Sequence, residues 1–540
     1  MLAFIFKKEH PPERVIFIIS ILWASIYNVP LWKKLLTITP VTDMYSFIVM
    51  LGLFLFLIAF LSLTLLLLPF RYIGRMLISV VFLLSSLAVY FMNNYGILID
   101  VGMVQNVFET DFAEVADLLT FKMLVYFVVL GIFPVVLLWK HTTHVVAFGI
   151  AFKRRFLAIS IPLVVIVIIA ATLYQSFAPL FRNNRDLRYV VIPNNYINGL
   201  RGYAQDMAKE TIAVKPIGTD AKKGSSWANK TRKTLVVLVV GETARSANFS
   251  LNGYSRDTNP LLKAQADIIS FSQVQSCGTQ TAVSLPCMFS SLGRSDYSPQ
   301  LARSQEGMLD VVQHAGLNVL WMDNQSGCKG VCDRVKNISV STSATKPFCD
   351  SEGCQDGIFI EKIKEYSQEM TQDSLVVLHQ MGSHGPAYYL RYPPEFERFT
   401  PTCKTKQLDS CTKEQIRNTY DNTILYTDHV IANLITELGA QRDIDTALIY
   451  ISDHGESLGE YNMFLHGAPF ILAPDYQKHI PQIVWLSENF RHAAHINNDC
   501  LKQKKAEPLS HDNLIHSILG LLDIDTTVYR RELDIFYGCR

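Results

Sequence analysis

The feature that most constrains the fold of this 540-residue chain is a succession of five long apolar runs in its first third. Each run approaches or exceeds the length that an α-helix needs to cross a bilayer, roughly 20 residues. Five runs in succession favour neither the buried helices of a soluble core nor a single cleaved signal peptide. We therefore expect five transmembrane helices, near Val15–Val29, Tyr45–Phe70, Met76–Met92, Met123–Trp139 and Leu157–Tyr174.

The charges between these runs predict their orientation, because short loops rich in Lys and Arg stay in the cytoplasm. The segment 93–121, between the third and fourth runs, carries five acidic residues and no Lys or Arg. Lys33 and Lys34 are an exception on that side. Basic residues occupy the three segments of the other side: Lys7, Lys8, Arg71, Arg75, Lys140, Lys153, Arg154 and Arg155. A cytoplasmic N-terminus and an odd number of helices then place the C-terminal domain outside the cytoplasm.

All ten cysteines lie between residues 277 and 539, and none lies in the apolar third. An even number in the part predicted to be outside the cytoplasm favours disulfide bonds. Close spacing suggests four pairs and leaves two cysteines over: Cys277–Cys287, Cys328–Cys332, Cys349–Cys354 and Cys403–Cys411, then Cys500 and Cys539. Spacing alone does not establish the connectivity. A zinc cluster is the alternative, although the repeated C-x2-C of such sites is missing.

Composition divides the chain into three predicted regions: a membrane domain at 1–174, a bridge at 175–231 and a C-terminal domain at 232–540, the one to which the candidate catalytic residues below belong. Aromatic and arginine residues around Phe181–Tyr203 suggest that the bridge lies at the membrane surface, with a plain linker as the alternative. From residue 232 onward, apolar strands alternate with helical segments. This alternation predicts an α/β domain with a largely parallel central sheet. The net charge of +1 gives no reason to expect nucleic acid as a partner.

Three predicted strands end in polar or metal-binding residue types. TLVVLVV (234–240) runs into GETARS, SLVVLHQ (374–380) into MGSHG, and TALIYIS (446–452) into DHGES. Ligands of parallel sheets bind beyond the carboxyl ends of the strands. We therefore expect these side chains to converge there: Glu242, Asp453, His454, His384, His466 and Thr281 of the loop SCGTQTAVSLPC. Each has an ordinary alternative, such as a first-turn acid for Glu242 or a hydrogen-bonded buried side chain for each histidine.

Carboxylates, an imidazole and a hydroxyl together suit zinc better than magnesium or calcium, which prefer oxygen ligands alone. A threonine hydroxyl is a weak nucleophile until a nearby metal lowers its pKa. A Cys277–Cys287 bridge would restrain the loop that carries Thr281. The segment AVSLPCMFSSL predicts a helix that begins near Thr281, which is a favourable place for a phosphate. Thr279 is the rival nucleophile, and an N-cap role is the alternative for Thr281.

Five motifs resemble those of the lipid A phosphoethanolamine transferases, the family that includes EptA and the mobile colistin resistance enzymes: VVGETAR, SCGTQTAVSLPCMFS, DNQSGCKGVCD, HQMGSHGPAYYLRY and YISDHGESLGE. The resemblance covers essentially the whole chain. It implies a monomer with five helices in a bacterial inner membrane and a periplasmic domain of the alkaline phosphatase and sulfatase fold. It also implies transfer of phosphoethanolamine from phosphatidylethanolamine to lipid A, release of diacylglycerol, and resistance to polymyxins.

The resemblance implies roles for individual residues as well. Thr281 matches the threonine that carries phosphoethanolamine, and Glu242, Asp453 and His454 match the groups that hold zinc with it. His384 and His466 match histidines near the substrate phosphate that can hold a second zinc. The remaining substrate contacts are implied at Ser326, Lys329, Asn106, Thr110 and Glu114. Two departures concern substrate contacts: SAN follows GETAR, and Gln325 stands where some relatives have Asn or Asp.

Three other functions stay open at this point. A related transferase could use a different glycan acceptor, or could move glycerol phosphate in place of phosphoethanolamine. A sulfatase usually carries a C-x-P-x-R motif at its nucleophile, and the Thr281 region has none. A catalytically silent, membrane-tethered binding protein would lack the nucleophile or a ligand, whereas every expected position is filled here.

Overall fold

The computed structural model describes residues 10–68, 72–110, 112–141, 148–208, 213–228, 230–340, 348–350 and 353–540. The chain packs as two compact units. The first, the membrane unit, comprises residues 1–101 and 119–200, and the second, the catalytic unit, comprises residues 102–118 and 201–540. The acidic segment 102–118 thus belongs to the same unit as the C-terminal part of the chain. The domain boundaries at 174 and 231 stay a prediction.

The membrane unit contains four described helices that are long and apolar enough to cross a membrane: Met44–Leu66, Tyr72–Tyr95, Phe121–Lys140 and Gly149–Asn183. The first predicted span corresponds to two helices, Pro12–Tyr27 and Val29–Ile38, that meet at an angle of 57°. Pro30 lies in the first turn of the second helix and cannot donate a backbone hydrogen bond to a continuous helix. The described residues therefore hold four candidate spans, or the predicted five if the bent pair is one span.

The catalytic unit is built on an eight-stranded sheet. Its strands in chain order are β1 Lys233–Gly241, β2 Ile269–Gln275, β3 Asn318–Asp323, β4 Lys336–Ser339, β5 Ser374–His379, β6 Ile444–Ser452, β7 His479–Leu486 and β8 Leu509–Ser510. Their spatial order is β8-β2-β7-β6-β1-β5-β3-β4. Only β7 runs antiparallel to its neighbours. The predicted, largely parallel sheet is confirmed, and its three predicted strands are β1, β5 and β6, which lie side by side.

Both faces of this sheet are covered at its centre, which explains why β1 is apolar along its whole length. Every residue of β1 after Lys233 is buried, as is typical of a parallel strand covered on both sides. The helices of this unit are Val101–Glu109 and Phe112–Leu118, the end of Asn194–Met207, then Pro260–Ala264, Thr281–Met288, Gly293–Asp296, Pro299–Arg303, Met308–His314, Ile358–Glu369, Lys413–Gly439, Glu488–Ala493, Asn498–Gln503 and Asp512–Leu521. Three two-stranded ribbons complete it: Lys222–Lys223 with Ile524–Asp525, Cys349–Asp350 with Gly353–Cys354, and Ser457–Leu458 with Phe464–Leu465.

The ten cysteines form five disulfide bonds, all in the catalytic unit. The four pairs predicted from spacing are confirmed, and the two remaining cysteines, Cys500 and Cys539, bond to each other. Because every cysteine is bonded to another, the alternative of a zinc cluster of cysteines is wrong.

Candidate active site

The carboxyl ends of the central strands bring the predicted metal-binding groups together. Glu242 directly follows β1, and Asp453 and His454 directly follow β6. The two strands are parallel neighbours, and their register pairs Gly241 with Ser452. Glu242 and Asp453 therefore leave the sheet side by side, although more than two hundred residues separate them in the chain.

The loop after β5 packs directly on Glu242. The Ser383 backbone N–H donates to the Glu242 carbonyl oxygen at 3.0 Å. Gly382 has a φ of 53°, and a Cβ at this position would lie 2.7 Å from the same carbonyl oxygen. Glycine is therefore required here for both the left-handed backbone and the close approach.

The four residues of the predicted zinc site form a buried cluster, which we call the four-residue cluster: Glu242, Thr281, Asp453 and His454. Thr281, the first residue of helix Thr281–Met288, donates through Oγ1 to Glu242 Oε2 at 3.1 Å. Thr281 Oγ1 also lies 3.3 Å from His454 Nε2. That nitrogen in turn lies 3.3 Å from Asp453 Oδ2 and 3.5 Å from Glu242 Oε1.

These distances fit a tetrahedral metal ion such as zinc. Metal-to-ligand distances of about 2.0–2.2 Å place neighbouring ligand atoms of a tetrahedron about 3.3–3.6 Å apart. The ligand atoms of Glu242, Asp453 and His454 all lie within 4.8 Å of one another. The four-residue cluster is therefore a candidate metal centre, with two carboxylates to balance the charge of a divalent ion.

Burial controls the charges in this cluster. It raises the pKa of Asp453 to about 7, because the charged carboxylate has lost its water. It also lowers the pKa of His454 well below the usual value, and the nearby His466 adds to this effect. The imidazole is therefore neutral at pH 7, which is the form that binds metals. A bound cation would offset the cost of burying both carboxylates.

His384 and His466 lie beside the four-residue cluster. Their ring centroids are 5.7 Å apart, and the His466 ring is 4.4 Å from that of His454. Together with Glu242 they offer nitrogen and oxygen atoms within 4.8 Å of one another, so they form a second candidate metal group. His466 Nδ1 lies 3.4 Å from an oxygen of Glu456, a buried carboxylate that the sequence analysis missed.

The structure separates the two rival threonines. Thr279 Oγ1 donates to the carbonyl oxygen of Ala468 at 2.6 Å, and the Thr279 carbonyl accepts from the Gly467 N–H at 2.7 Å. Thr279 is thus bonded to the backbone of a neighbouring loop. Of the two hydroxyls, that of Thr281 is the one beside the carboxylates.

Ser326 and Lys329 adjoin the cluster through Gln325. Gln325 Nε2 donates to Glu242 Oε2 at 2.9 Å. Lys329 Nζ donates to Ser326 Oγ at 3.0 Å and to the carbonyl oxygen of Glu109 at 3.1 Å. Gln325 was missed as a partner of Glu242, although it follows the end of β3 just as the predicted metal-binding groups follow the ends of β1 and β6.

Asn106 and Thr110 lie on the segment 102–118 of the catalytic unit. The Thr110 N–H and hydroxyl both donate to the Asn106 carbonyl oxygen, at 2.9 and 2.5 Å. Glu109, between them, meets Lys329 through its carbonyl and Arg303 through its carboxylate at 2.7 Å. The side chain of Glu114 lies outside the described residues, so its predicted contact with an ammonium group stays a prediction.

A second set of charges holds this segment, and the sequence analysis missed it. Asp117 pairs with Arg391 at 2.5 Å and with Lys406 at 2.8 Å. Arg391 also donates through Nε to the carbonyl oxygen of His384 at 2.9 Å. Arg391 therefore connects the segment 102–118 with a histidine of the candidate site.

Known proteins share this architecture. Residues 55–208 match the family model described as phosphoethanolamine transferase EptA/EptB, and residues 234–524 match the sulfatase model. The chain is 39% identical over 519 residues to phosphoethanolamine transferase EptA of Escherichia coli (strain K12), covering 95% of this chain and 94% of the relative. It is 32% identical over 529 residues to phosphatidylethanolamine transferase Mcr-1 of Escherichia coli, covering 96% of each. The integral membrane lipooligosaccharide phosphoethanolamine transferase A (EptA) from Neisseria meningitidis has a TM-score of 0.95 at 36% identity, covering 99% of each chain.

Proposed function

This chain belongs to the EptA family of phosphoethanolamine transferases, and from that premise we propose that it transfers phosphoethanolamine from phosphatidylethanolamine to a phosphate of lipid A. The proposed covalent carrier is Thr281. One observation supports this role above all others: the buried Thr281 hydroxyl lies 3.1 Å from Glu242 and 3.3 Å from His454.

The proposed metal ligands are Glu242, Thr281, Asp453 and His454, and His384 and His466 are proposed for a second ion. A zinc ion bound there would lower the pKa of the threonine hydroxyl and stabilise negative charge on the phosphate oxygens. The protein's own contribution is to bury the hydroxyl, to fix its direction through Glu242, and to keep His454 neutral.

In the first step, the Thr281 oxygen attacks the phosphorus of phosphatidylethanolamine. A threonine–phosphorus bond forms as the bond from phosphorus to the diacylglycerol oxygen breaks. The Thr281 hydroxyl loses its proton as its oxygen attacks, and the departing diacylglycerol oxygen gains one. When no second ion is bound to it, His466 is placed to relay this proton, because its ring lies 4.4 Å from that of His454 and its Nδ1 lies 3.4 Å from the Glu456 carboxylate. Lys329, held by Ser326, stabilises charge on the phosphate oxygens.

In the second step, an oxygen of a lipid A phosphate attacks the same phosphorus. The bond to Thr281 breaks, and the threonine recovers the proton that the attacking phosphate loses. Lipid A gains an ammonium group, so its net negative charge falls relative to its phosphate content. Polymyxins and other cationic peptides would then bind it less well, which is the basis of the resistance that we propose.

Both proposed substrates are membrane lipids, which explains why a catalytic unit of this kind is tethered to membrane spans. We place the protein in the bacterial inner membrane as a monomer, with its N-terminus in the cytoplasm and its catalytic unit in the periplasm. Asn106, Thr110 and Glu114 are proposed to bind the donor headgroup together with Ser326, Lys329 and the two histidines.

Mass spectrometry of lipid A from cells that express the protein tests this function. We expect added phosphoethanolamine with the wild type and none with Thr281→Ala, while Thr371→Ala, at an exposed site before β5, retains it. Intact-protein mass spectrometry of donor-treated wild type should show phosphoethanolamine on Thr281. Unmodified lipid A from the wild type would point to another acceptor. Lipid A that is still modified in cells expressing Thr281→Ala would show that Thr281 is not the covalent carrier.

A further inference from the structure

An exposed apolar tip lies shortly after His466. Phe470, Ile471 and Leu472 stand consecutively in the loop 467–477, which connects the strand Phe464–Leu465 to β7. Ile471 is 93% exposed, a larger fraction than that of any other large hydrophobic side chain in the described part of the chain, including those of the membrane helices. Leu472 is 36% exposed and Phe470 is half-buried, so Ile471 is the outermost apolar side chain of the tip. Adjacent exposed apolar side chains are candidates for a contact site on a folded protein.

The base of this loop is fixed to the loop that carries the proposed nucleophile. Gly467 N–H donates to the Thr279 carbonyl at 2.7 Å, and Thr279 Oγ1 donates to the Ala468 carbonyl at 2.6 Å. The Gln477 side chain closes the base, because it donates to the Leu465 carbonyl at 3.1 Å and accepts from the Ala468 N–H at 3.2 Å. We call the loop 276–287, which carries Thr281, the catalytic loop. The position of the tip is therefore coupled to that of the catalytic loop.

Two cations flank the aromatic ring of the tip. The guanidinium carbon of Arg294 lies 3.4 Å from the centroid of the Phe470 ring, and Lys478 Nζ lies 5.4 Å from it. Both cations also have partners within the protein: Arg294 donates to the Cys277 carbonyl, and Lys478, whose side chain is 14% exposed, pairs with the exposed Asp475 at 3.4 Å. Apolar side chains beside Lys and Arg are typical of segments that lie at a bilayer interface, since the apolar groups enter the acyl boundary and the cations meet lipid phosphates.

We propose that the tip Phe470–Leu472 inserts into the surface of the bilayer in which this protein's own helices are anchored. The partner is a phospholipid surface, because candidate membrane spans in the same chain tether the catalytic unit to a bilayer and because Arg294 and Lys478 place positive charge beside the apolar tip. Insertion holds the catalytic loop at the level of the lipid headgroups. On the proposed function, this is the level at which the phosphorus of the donor is attacked.

A single fluorescent label tests the insertion in the full-length protein, reconstituted in vesicles of phosphatidylethanolamine and phosphatidylglycerol. The ten native cysteines are all in disulfides, so Ile471→Cys supplies one free thiol for an environment-sensitive dye. Gln372→Cys is the matched control, at an exposed position before β5 and so at the end of the sheet opposite the site. We expect blue-shifted emission at position 471 and severalfold stronger quenching by doxyl-labelled lipids than at position 372. Aqueous iodide should quench the label at position 372 more strongly than the label at position 471.

Two results would overturn the proposal. In the first, iodide reaches the label at 471 as readily as the label at 372, and doxyl lipids leave it unquenched. In the second, the emission shifts without doxyl quenching and the shift grows with the number of protein copies per vesicle, which would assign the tip to a second copy of this chain. The label reports position whether or not the protein transfers phosphoethanolamine, so this test and the test of the proposed function fail separately.

A kinetic comparison provides a second readout. Ile471→Ser should raise the apparent KM for a long-chain donor in vesicles severalfold. It should leave the KM for a soluble short-chain donor unchanged, because only the membrane-bound donor requires the catalytic loop at the bilayer surface. An equal rise with both donors would contradict a membrane role for the tip.

Discussion

The side-chain amide of Gln325 donates to Glu242 Oε2 at 2.9 Å, the same oxygen that accepts the Thr281 hydroxyl. Gln325 is itself held from two sides. Its backbone N–H donates to Asp323 Oδ1 at 2.8 Å, and its amide oxygen accepts from the Ser326 N–H. Outer partners of this kind set the orientation of a metal ligand. Gln325 is therefore a positioning residue for the Glu242 carboxylate.

Replacing this amide should weaken metal binding without unfolding the protein. Gln325→Leu keeps the approximate size of the side chain but removes the donor, so we expect a roughly 10- to 100-fold loss of zinc affinity. Competition with a fluorescent zinc chelator measures the zinc affinity of the variant and of the wild type. Gln503→Leu, at an exposed position in helix Asn498–Gln503, should bind zinc as the wild type does. Normal zinc affinity together with lost activity in Gln325→Leu would assign Gln325 to the substrate instead.

Removal of the proposed metal ion should lower the melting temperature. Without a cation, the buried carboxylates of Glu242 and Asp453 face each other uncompensated. A ligand at a thousand times its Kd stabilises the folded state by about 4 kcal/mol, so a strong chelator should produce a large downward shift in Tm. Zinc should restore the Tm and magnesium should not, because the site includes an imidazole. Asp453→Asn should respond much less to the chelator, and an equal response would argue against a metal at this position.

The disulfide Cys277–Cys287 should serve both stability and the site. Replacing both cysteines with Ser opens a loop of sequence separation 10, which should lower the free energy of unfolding by about 3 kcal/mol. The matched control is Cys403→Ser with Cys411→Ser, which opens a loop of separation 8 at a similar cost. Only the double replacement of Cys277 and Cys287 should also reduce zinc affinity, because the loop that this bond closes carries Thr281. Equal zinc affinity in the two double variants would show that the Cys277–Cys287 bond contributes to stability but not to metal binding.

Loss of the Asp117 carboxylate should weaken donor binding more than the chemical step. Asp117→Asn removes the carboxylate charge that pairs with both Arg391 and Lys406, so the segment 102–118 is held less firmly. We expect a roughly tenfold rise in the KM for phosphatidylethanolamine, equivalent to about 1.4 kcal/mol, with a smaller change in kcat. Steady-state kinetics in mixed micelles measures both parameters.

The control for this prediction is an exposed ion pair. Glu365 pairs with Lys362 on the surface of helix Ile358–Glu369, where the Glu365 side chain is 59% exposed. Surface pairs of this kind contribute little, so Glu365→Gln should leave KM and kcat unchanged. A fall in kcat with constant KM in Asp117→Asn would instead place the effect on His384, through the bond from Arg391 to its carbonyl.

Local patterns were sufficient for much of the fold. The continuous apolar run at 234–240 predicted a strand covered on both faces, and β1 is such a strand. The short spacings predicted four of the disulfides. The polar groups after β1 and β6 indicated a site, because parallel strands place their carboxyl ends at one edge. In each case the decisive interactions are close in sequence or follow from the period of a regular element.

The amino-acid sequence by itself determined the apolar spans, the parallel sheet, the pairing of nearby cysteines and the types of residue at the strand ends, because these depend on short-range patterns and on burial. Tertiary structure decided which threonine lies beside Glu242, that Gln325 orients that carboxylate, and that the segment 102–118 packs with the catalytic unit. The physical reason is that these contacts join parts of the chain far apart in sequence, and the order of strands in the sheet determines which of them meet.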